Sequence, residues 1–167
     1  MLIAIVSDTH GRPSPLDEAL RIIASRGIET IIHCGDIDAV SLVASFPAGT
    51  HFVYGNCDSD RHGIAAAIEA AKCRLHGAWG HLGLAGKSIA FTHGDDSTLM
   101  RDLIASGSFD YLFHGHTHIA ADRRVGRTRV INPGALHRAN PKTFAILDLA
   151  TDDLTNLPAG KEAAFRS

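Results

Sequence analysis

The chain has few of the features that mark secreted, membrane-spanning or nucleic-acid-binding proteins. Its three cysteines show no CxxC spacing, so we expect a reduced chain without a disulfide framework. No apolar run approaches the roughly 20 residues that cross a bilayer. The apolar first segment lacks a basic region and meets Asp8, which predicts a strand and not a signal peptide. The net charge of −2 gives no support for a wide nucleic-acid-binding face. These absences predict a cytoplasmic protein without a membrane partner or a strong nucleic-acid signal.

The composition is otherwise ordinary for one globular domain. The apolar fraction is 45% and the charged fraction 20%. A chain of 167 residues buries roughly 70% of its unfolded surface, so its core needs no external staple. We find no repeat, low-complexity tract or linker, and we expect a single domain over residues 1–167. The polar stretch 151–167, which contains Pro and Gly, is expected to be a loosely held tail. Homo-oligomerisation is left open.

The first half of the sequence alternates predicted strands and helices. The strands cover residues 2–7, 29–33 and 50–54. Between them, Ser14 is the expected N-cap of a helix that Gly27 terminates, and a short helix covers 39–45. This order favours parallel strands with right-handed crossovers.

The second half is predicted to be richer in hairpins. We expect a helix at 64–73, a hairpin of strands 76–84 and 88–92 about the turn 85–87, and a helix at 97–105 capped by Ser97. Strand 111–114, a hairpin of 120–125 and 127–131 about Gly126, and a final strand 143–149 favour an antiparallel arrangement. The expected fold class is α/β, a four-layer α/β/β/α sandwich of two packed mixed sheets flanked by helices.

Six short apolar runs each stop at a cluster of Asp, His, Asn and Gly. The clusters begin at Asp8, Gly35, Gly55, Thr92, Gly115 and Asn132. In open α/β sheets, ligands bind at the carboxyl ends of the strands. Carboxylate, imidazole and amide groups are ligands for metals of borderline hardness. One pocket holding more than one divalent cation explains all of the clusters together.

Within the clusters, spacing suggests which side chains share an ion. Asp8 and His10 are two residues apart after a strand, so they face the same way, and His116 and His118 repeat this spacing. Asp36 has two carboxylate oxygens and can bridge two ions. Each element has a simpler alternative when taken alone.

Those alternatives involve turns and loops. Asp8 can be a turn residue capping the next helix, Asn56 a turn residue after Gly55, and His93 a loop histidine with ordinary hydrogen bonds.

In this order the clusters form a recognisable series, D-x-H, GD-x-x, GN-x-D, H followed by G, and GH-x-H, ending in Asn132-Pro133-Gly134. The chain therefore resembles the calcineurin-like metallophosphoesterases, in particular their small, cap-less phosphodiesterase branch. The resemblance implies one ion held by Asp8, His10 and His118, a second held by Asn56, His93 and His116, and Asp36 bridging both. It also implies catalytic roles for Asp36, Asn56 and His93.

The resemblance further implies a reaction. Two divalent cations, with manganese favoured and iron, zinc, nickel or cobalt as alternatives, would share a hydroxide that attacks phosphorus in line. The substrate would be a small-molecule phosphodiester. Two alternatives remain: a catalytically weak interaction scaffold of the same fold, and a nuclease acting on short nucleic acid. Because all seven ligand positions carry competent residues, catalysis is favoured.

One position departs from the family pattern. Many members carry His after GN, where this chain has Cys57, and a thiol with a reference pKa of ~8.5 is a poor substitute for an imidazolium. We therefore expect a preference for activated esters such as aryl phosphodiesters, or else a packing role for Cys57. Asp38 and Asp58 are candidates for fixing a His tautomer or a loop, with exposed turn residues as the alternative.

Arginines cluster on the predicted hairpin about Gly126. They are Arg123, Arg124, Arg127 and Arg129. They indicate either a solvated hairpin or a docking patch for a phosphorylated substrate or an acidic partner.

Overall fold

Two mixed β-sheets pack face to face, with helices on both outer sides, in a computed structural model that describes residues 1–160. This four-layer arrangement confirms the expected fold class. In chain order the elements are β1 (Leu2–Val6), α1 (Pro13–Ser25), β2 (Thr30–His33), α2 (Val40–Val43), β3 (His51–Phe52), α3 (Arg61–Ala70), β4 (Arg74–Leu75), β5 (Trp79–Leu84), β6 (Lys87–Thr92), α4 (Ser97–Ala105), β7 (Tyr111–Phe113), β8 (Ala121–Val125), β9 (Thr128–Asn132), β10 (Thr143–Asp148) and β11 (Asp153–Pro158).

The first sheet has the order β11-β10-β1-β2-β3-β4. Strands β1 to β4 run parallel, as the alternation of strands and helices predicted, and β10 returns antiparallel beside β1. Since β1 is covered on both faces, its side chains alternate between two cores. Ala4 and Val6 pack against the α1 side, whereas Ile3 and Ile5 face the second sheet.

The second sheet has the order β5-β6-β7-β9-β8. The hairpins β5-β6 and β8-β9 confirm the turns predicted about residues 85–87 and Gly126. The expected antiparallel arrangement is wrong for β7, which pairs parallel with both β6 and β9. The reason is that α4 carries the chain across the sheet between β6 and β7, and such crossovers join parallel strands.

Helix α4 covers the predicted residues Ser97–Ala105, but its cap, the cap of α1 and the start of α3 differ from the sequence prediction. Helix α1 begins at Pro13 after Arg12, so Ser14 is not its N-cap. Asp60 caps α3, which begins earlier than expected, and Asp96 caps α4 by accepting from the N–H groups of Thr98 and Leu99. In these last two helices the aspartate just before the first helical residue supplies the cap, because its carboxylate reaches the free N–H groups of the first turn.

The stretch after Thr151, expected to be loosely held, contains strand β11. Leu154 and Leu157 alternate along it, with Leu154 packing against the core between the sheets and Leu157 against the α1 core, so β11 is anchored beside β10. Residues 161–167 of the predicted tail lie outside the described residues. None of the helices within residues 1–160 is long and apolar enough to span a bilayer.

Candidate metal centre

The polar clusters converge at one edge of the two sheets. Backbone hydrogen bonds join them across long stretches of sequence: Asp8 N donates to Gly35 O at 3.1 Å, His10 N to Asp36 O at 3.0 Å, and Gly115 N to His93 O at 2.8 Å. The first two bonds join the loops after β1 and β2, and the third joins those after β6 and β7. A bond from His116 N to Asp8 Oδ2 at 3.2 Å links the two pairs of loops. The carboxyl ends of the strands therefore form a single site, as the sequence pattern predicted.

Glycines allow the loops to approach closely. A Cβ on Gly35, whose φ is +90°, would lie 2.8 Å from the backbone nitrogen of Gly55. A Cβ on Gly55 would in turn lie 2.1 Å from the Asp36 carboxylate. The two glycines thus let the loop after β2 and the loop after β3 press together around Asp36.

One group of donor atoms consists of Asp8, His10 and His118, whose ligand atoms lie within 4.8 Å of one another. The Nε2 atoms of His10 and His118 are 3.2 Å apart. Asp8 Oδ1 lies 3.1 Å from His118 Nε2 and 3.9 Å from His10 Nε2. These are the three residues expected to hold the first ion.

A second group consists of Asp8, Asp36 and His93, all buried, again with ligand atoms within 4.8 Å. His93 Nε2 lies 3.3 Å from Asp36 Oδ2 and 3.1 Å from Asn56 Oδ1. Asp36 Oδ2 is also 3.6 Å from His10 Nε2. The Asp36 carboxylate thus stands between the two groups, in the position that a bridging ligand needs.

His116 is placed less centrally than the other predicted ligands. Its ring centroid is 5.1 Å from that of His93, and the residue is exposed. Its ring nitrogens do not belong to a donor group within 4.8 Å among residues 1–160. Its backbone N–H donates to Asp8 Oδ2 at 3.2 Å.

The ring nitrogens that face away from the site bind oxygen atoms. His93 Nδ1 lies 2.8 Å from the carbonyl of Cys34, and a carbonyl only accepts, so this ring carries its proton on Nδ1. His10 Nδ1 lies 2.8 Å from Asp38 Oδ2, and His118 Nδ1 lies 3.5 Å from the carbonyl of Arg138. All three rings are therefore oriented with Nε2 toward the centre.

The ionisable groups at the centre perturb one another strongly. Burial opposes a charge on His93, but its contacts with Asp36 prevail and raise its pKa to about 9. Burial likewise opposes a charge on Asp36, yet hydrogen bonds from His93 and from the Cys57 backbone N–H hold its pKa well below the usual range. For Asp8, burial dominates and raises the pKa. The nearby histidines His93 and His118 lower the pKa of Asp8 but do not offset this effect of burial.

The donor set fits divalent cations. Asp8 Oδ1 is fully buried and accepts no well-oriented hydrogen bond, although His118 Nε2 lies 3.1 Å away, and such burial is costly for a carboxylate oxygen. The nitrogen lone pairs of His10 and His118 converge beside it. A cation at this point would satisfy the orphaned oxygen and both imidazoles together. Mixed oxygen and nitrogen ligands suit manganese, iron, cobalt, nickel or zinc.

A family model described as "Calcineurin-like phosphoesterase superfamily domain" matches residues 1–152. The chain belongs to this superfamily. Membership supports a hydrolase that uses divalent metal ions, which agrees with the donor set described above.

Similar proteins point in the same direction. The phosphodiesterase MJ0936 of Methanocaldococcus jannaschii is 29% identical over 154 residues, covering 89% of this chain and 93% of that protein. The solved structure of an archaeal phosphodiesterase superposes with a TM-score of 0.86 at 26% identity, covering 95% of this chain and 99% of the other. Yfce, a phosphoesterase from E. coli, shares the fold with a TM-score of 0.68 at 19% identity, over 96% of this chain and 100% of the other.

Asp58, at the last position of the superfamily's GN-x-D motif, is buried beneath the site. Its Oδ1 accepts from the N–H groups of Ile37 at 2.7 Å and Asp38 at 2.8 Å. Its Oδ2 accepts from those of Asp36 at 3.1 Å and Gly55 at 2.8 Å. Asp36 and Asp38 have φ values of 58° and 61°, which non-glycine residues seldom adopt, and the Asp58 carboxylate stabilises this conformation.

Cys57, which replaces the histidine of many superfamily members, is exposed beside Asn56. Desolvation and the Asp36 carboxylate raise the pKa of its thiol to about 11. Cys57 is close to His10 and Asp38, but a protonated thiol is a poor metal ligand. Its backbone N–H donates to Asp36 Oδ1 at 2.9 Å.

Two buried side chains support the centre: His33, which the sequence analysis did not single out, and Asn132, which begins the last motif of the series. His33 Nδ1 accepts from Gly35 N at 3.1 Å, while His33 Nε2 lies 3.2 Å from Thr9 Oγ1. Burial lowers the pKa of His33 to about 3, so it stays neutral and links the loops after β1 and β2. Asn132 Nδ2 donates to Gly115 O at 2.8 Å, which holds the loop after β7. Asn132 was visible in the sequence as part of a motif, whereas the only signal for His33 was its place two residues before Gly35.

Three of the four arginines on the β8-β9 hairpin pair with aspartates. Arg124 pairs with Asp152 at 2.6 Å, Arg127 with Asp110 at 2.9 Å, and Arg129 with Asp122 at 2.8 Å. Arg129 also contacts Asp152. These ion pairs support the solvated-hairpin interpretation over a docking patch for phosphate groups.

Proposed function

We propose that this chain is a phosphodiesterase whose centre takes two divalent cations. Asp8, His10 and His118 hold one of them, His93, Asn56 and His116 hold the other, and Asp36 contacts both. The carrying observation is the convergence of His10 Nε2, His118 Nε2 and the orphaned Asp8 Oδ1 around one point. Among the cation candidates we favour manganese.

When bound, two divalent cations would make a nucleophilic hydroxide available at neutral pH and would offset the charge that develops on the phosphoryl oxygens. The protein must hold its donors in place before the substrate arrives, so that no reorganisation is needed during the reaction. Asp58 fixes the backbone that carries Asp36, and the Cys34 carbonyl fixes the ring of His93. The centre is therefore preorganised by groups that do not touch the substrate.

Asn56 and His116 give the site its open side. Both are exposed, whereas Asp8, Asp36 and His93 are buried. A diester can therefore approach from the side of Asn56 and His116. Asn56 contributes an uncharged oxygen, which leaves the centre with fewer negative groups and favours an anionic substrate.

A phosphodiester is proposed as the substrate because the relative at 29% identity is named a phosphodiesterase. The choice of small-molecule diesters over nucleic acid follows from the net charge of −2 and from the pairing of three hairpin arginines with aspartates. We further propose that the reaction takes place in the cytoplasm, a proposal supported by the three free cysteines.

The test is hydrolysis of bis(p-nitrophenyl) phosphate by the wild type, Asp36→Asn and Asp17→Asn after loading with Mn²⁺. Asp17 is an exposed residue of α1 and serves as the control for loss of one carboxylate. We expect Asp36→Asn to reduce kcat/KM by about 10³-fold or more and Asp17→Asn to leave it unchanged. Full activity of the wild type after chelation and exhaustive dialysis would contradict the proposal.

A further inference from the structure

Asp38 makes a contact that places it outside the set of residues expected to touch an ion. Its Oδ2 lies 2.8 Å from His10 Nδ1, on the side of the ring opposite the centre. His10 Nε2 then faces His118, Asp36 and Asp8, at 3.2 Å, 3.6 Å and 3.9 Å. The Asp38 carboxylate thus contacts the outer nitrogen of a histidine whose inner nitrogen points into the site.

The conformation of Asp38 shows that this contact is built into the loop. Its φ of 61° lies in the left-handed region, where a non-glycine residue is strained. Asp58 Oδ1 binds the backbone N–H of Asp38 at 2.8 Å and that of Ile37 at 2.7 Å, which holds the loop in this conformation. The His10 backbone N–H also binds the Asp36 carbonyl at 3.0 Å, so the two loops cannot separate freely.

We propose that Asp38 is a positioning residue that sets the cation affinity of the site containing His10, and leaves the His93 site largely unaffected. An acceptor at Nδ1 keeps the proton on that nitrogen and leaves Nε2 free to bind a cation. A carboxylate acceptor also makes Nε2 more basic. The inference rests on the proposed function, because it needs cations at this centre.

The two sites differ in how their histidines are held. His93 is held by the carbonyl of Cys34, a backbone group that no side-chain substitution removes. His10 is held by the side chain of Asp38. In this pair the His10 side chain is 6% exposed and the Asp38 side chain 32% exposed. Substituting Asp38 should therefore alter one site selectively, which a general loosening of the loop would not do.

The variant that removes the Asp38 carboxylate should be Asp38→Gly. Glycine adopts a φ of about +60° without strain, so this variant removes the carboxylate and keeps the backbone conformation and its N–H bond to Asp58. Asp38→Asn is the conservative variant, because its amide oxygen still accepts from Nδ1 and asparagine tolerates the left-handed region. Asp60→Asn removes a charge from a nearby exposed residue that contacts Gly63 and not a histidine, and it is the charge control.

The experiment is calorimetric titration of the chelator-treated full chain with Mn²⁺. For the wild type and Asp60→Asn we expect two binding events of unchanged affinity. For Asp38→Gly we expect one event weakened by about 10- to 100-fold and the other changed by less than about 3-fold. Asp38→Asn should recover most of the loss.

A second readout on the same metal-free protein separates positioning from mere support of the fold. Proton–nitrogen correlation spectra of the histidine rings at pH 8 should show His10 with its proton on Nδ1 in the wild type and in Asp38→Asn. In Asp38→Gly the proton should redistribute toward Nε2, with the other rings unchanged. A purely structural role would shift many rings and weaken both binding events together.

Several results would overturn the inference. Two unchanged binding events in Asp38→Gly would show that Asp38 does not set the affinity, while the proposed function would stand. Equal weakening of both events would assign Asp38 a structural role. A wild-type chain that binds no Mn²⁺, and no other divalent cation, would overturn the proposed function and this inference together.

Discussion

His10 Nε2 lies 3.2 Å from His118 Nε2, although the two residues are 108 positions apart in the chain. Each outer nitrogen, Nδ1, has an oxygen acceptor, which turns both inner nitrogens toward each other and toward Asp8 Oδ1. With both rings protonated on Nδ1, the two imidazole lone pairs and the buried carboxylate oxygen would repel one another unless a positive charge stood between them. This arrangement is the main physical reason for assigning a cation to this point.

Substitution of Asp8 should have opposite effects on the stability of the metal-free protein and on the stability that bound metal adds. In Asp8→Asn the amide nitrogen can replace Oδ1 and face His118 Nε2. The buried charge is then lost, and no buried polar atom is left without a hydrogen-bond partner. We expect the free energy of unfolding of the chelated protein to stay equal or rise by about 1 kcal/mol. Urea denaturation measures this change.

The same variant should lose most of the stabilisation that metal provides. A ligand at 100 times its Kd stabilises a folded protein by about 2.7 kcal/mol, so Mn²⁺ should raise the Tm of the wild type. The rise should persist in Asp17→Asn and largely vanish in Asp8→Asn. Equal rises in all three proteins would contradict the role given to Asp8.

Close packing of the two glycine loops predicts a large difference between two Gly→Ala variants. At Gly27, with a φ of +65°, a Cβ meets no atom within 4 Å, so only backbone strain of about 1 kcal/mol is expected. At Gly35, with a φ of +90°, a Cβ would lie 2.8 Å from the Gly55 nitrogen, and the cost should exceed about 3 kcal/mol. Similar unfolding free energies for the two variants would show that the loops yield easily.

The thiol at position 57 predicts a strong dependence on the leaving group. With its pKa raised to about 11, Cys57 protonates a departing alkoxide poorly at neutral pH. For methyl aryl phosphates, log kcat/KM should fall steeply as the pKa of the leaving phenol rises. Cys57→His should flatten this dependence and raise the rate on a simple alkyl diester by about 10-fold or more.

The matched control for that series is Cys57→Ser, which keeps a small polar side chain but supplies no better acid. Its dependence on the leaving group should equal that of the wild type. A wild type that hydrolyses aryl and alkyl diesters at similar rates would assign leaving-group protonation to another residue.

A histidine pair remote from the centre predicts the acid sensitivity of the fold. His51 is buried, with Nδ1 2.9 Å from His76 Nε2, and burial followed by the charges of His76 and Arg74 lowers its pKa to about 4. As the pH falls below the ordinary value of about 6.5, the unfolded chain binds a proton at this position before the folded chain does. Stability present above pH 6.5 is therefore lost progressively down to about pH 4.

This pH dependence is measured by urea denaturation of chelated protein between pH 4 and 7. Since other buried histidines contribute, His51→Gln should reduce the slope of the unfolding free energy against pH without abolishing it. His62→Gln, at an exposed position of α3, should leave the slope unchanged. An unchanged slope in His51→Gln would show that His51 is protonated equally in both states.

Features of the sheets and of the candidate site could be predicted from the sequence where a local pattern also determines a position in the fold. Asp8, Asp36 and His93 each follow an apolar run, and a strand end that is recognisable locally is also a fixed point of the sheet. The parallel pairing of β7 was missed because it depends on which strand lies next to it, and short apolar runs look alike in either direction. Strand β11 was missed because its two leucines stand among polar residues and do not form an apolar run.

Contacts that support the ligands were less accessible from the sequence. Asp38 and Asp58 were candidates only through their proximity to motif residues, and their partners depend on how two loops meet. The link between His33 and Thr9 spans 24 residues and follows from the register of β1 against β2, which no local pattern specifies. The exposed position of His116 beside His93 also could not be read from its motif, and its role as a ligand stays a prediction.

The most direct measurement is an anomalous difference map from crystals grown with Mn²⁺. The account predicts two peaks that share the Asp36 carboxylate, one beside Asp8, His10 and His118 and the other beside His93 and Asn56. Crystals of Asp36→Asn should lose one or both peaks. A fully loaded wild-type crystal with no peak among these residues, or with Mn²⁺ bound only elsewhere, would contradict the account.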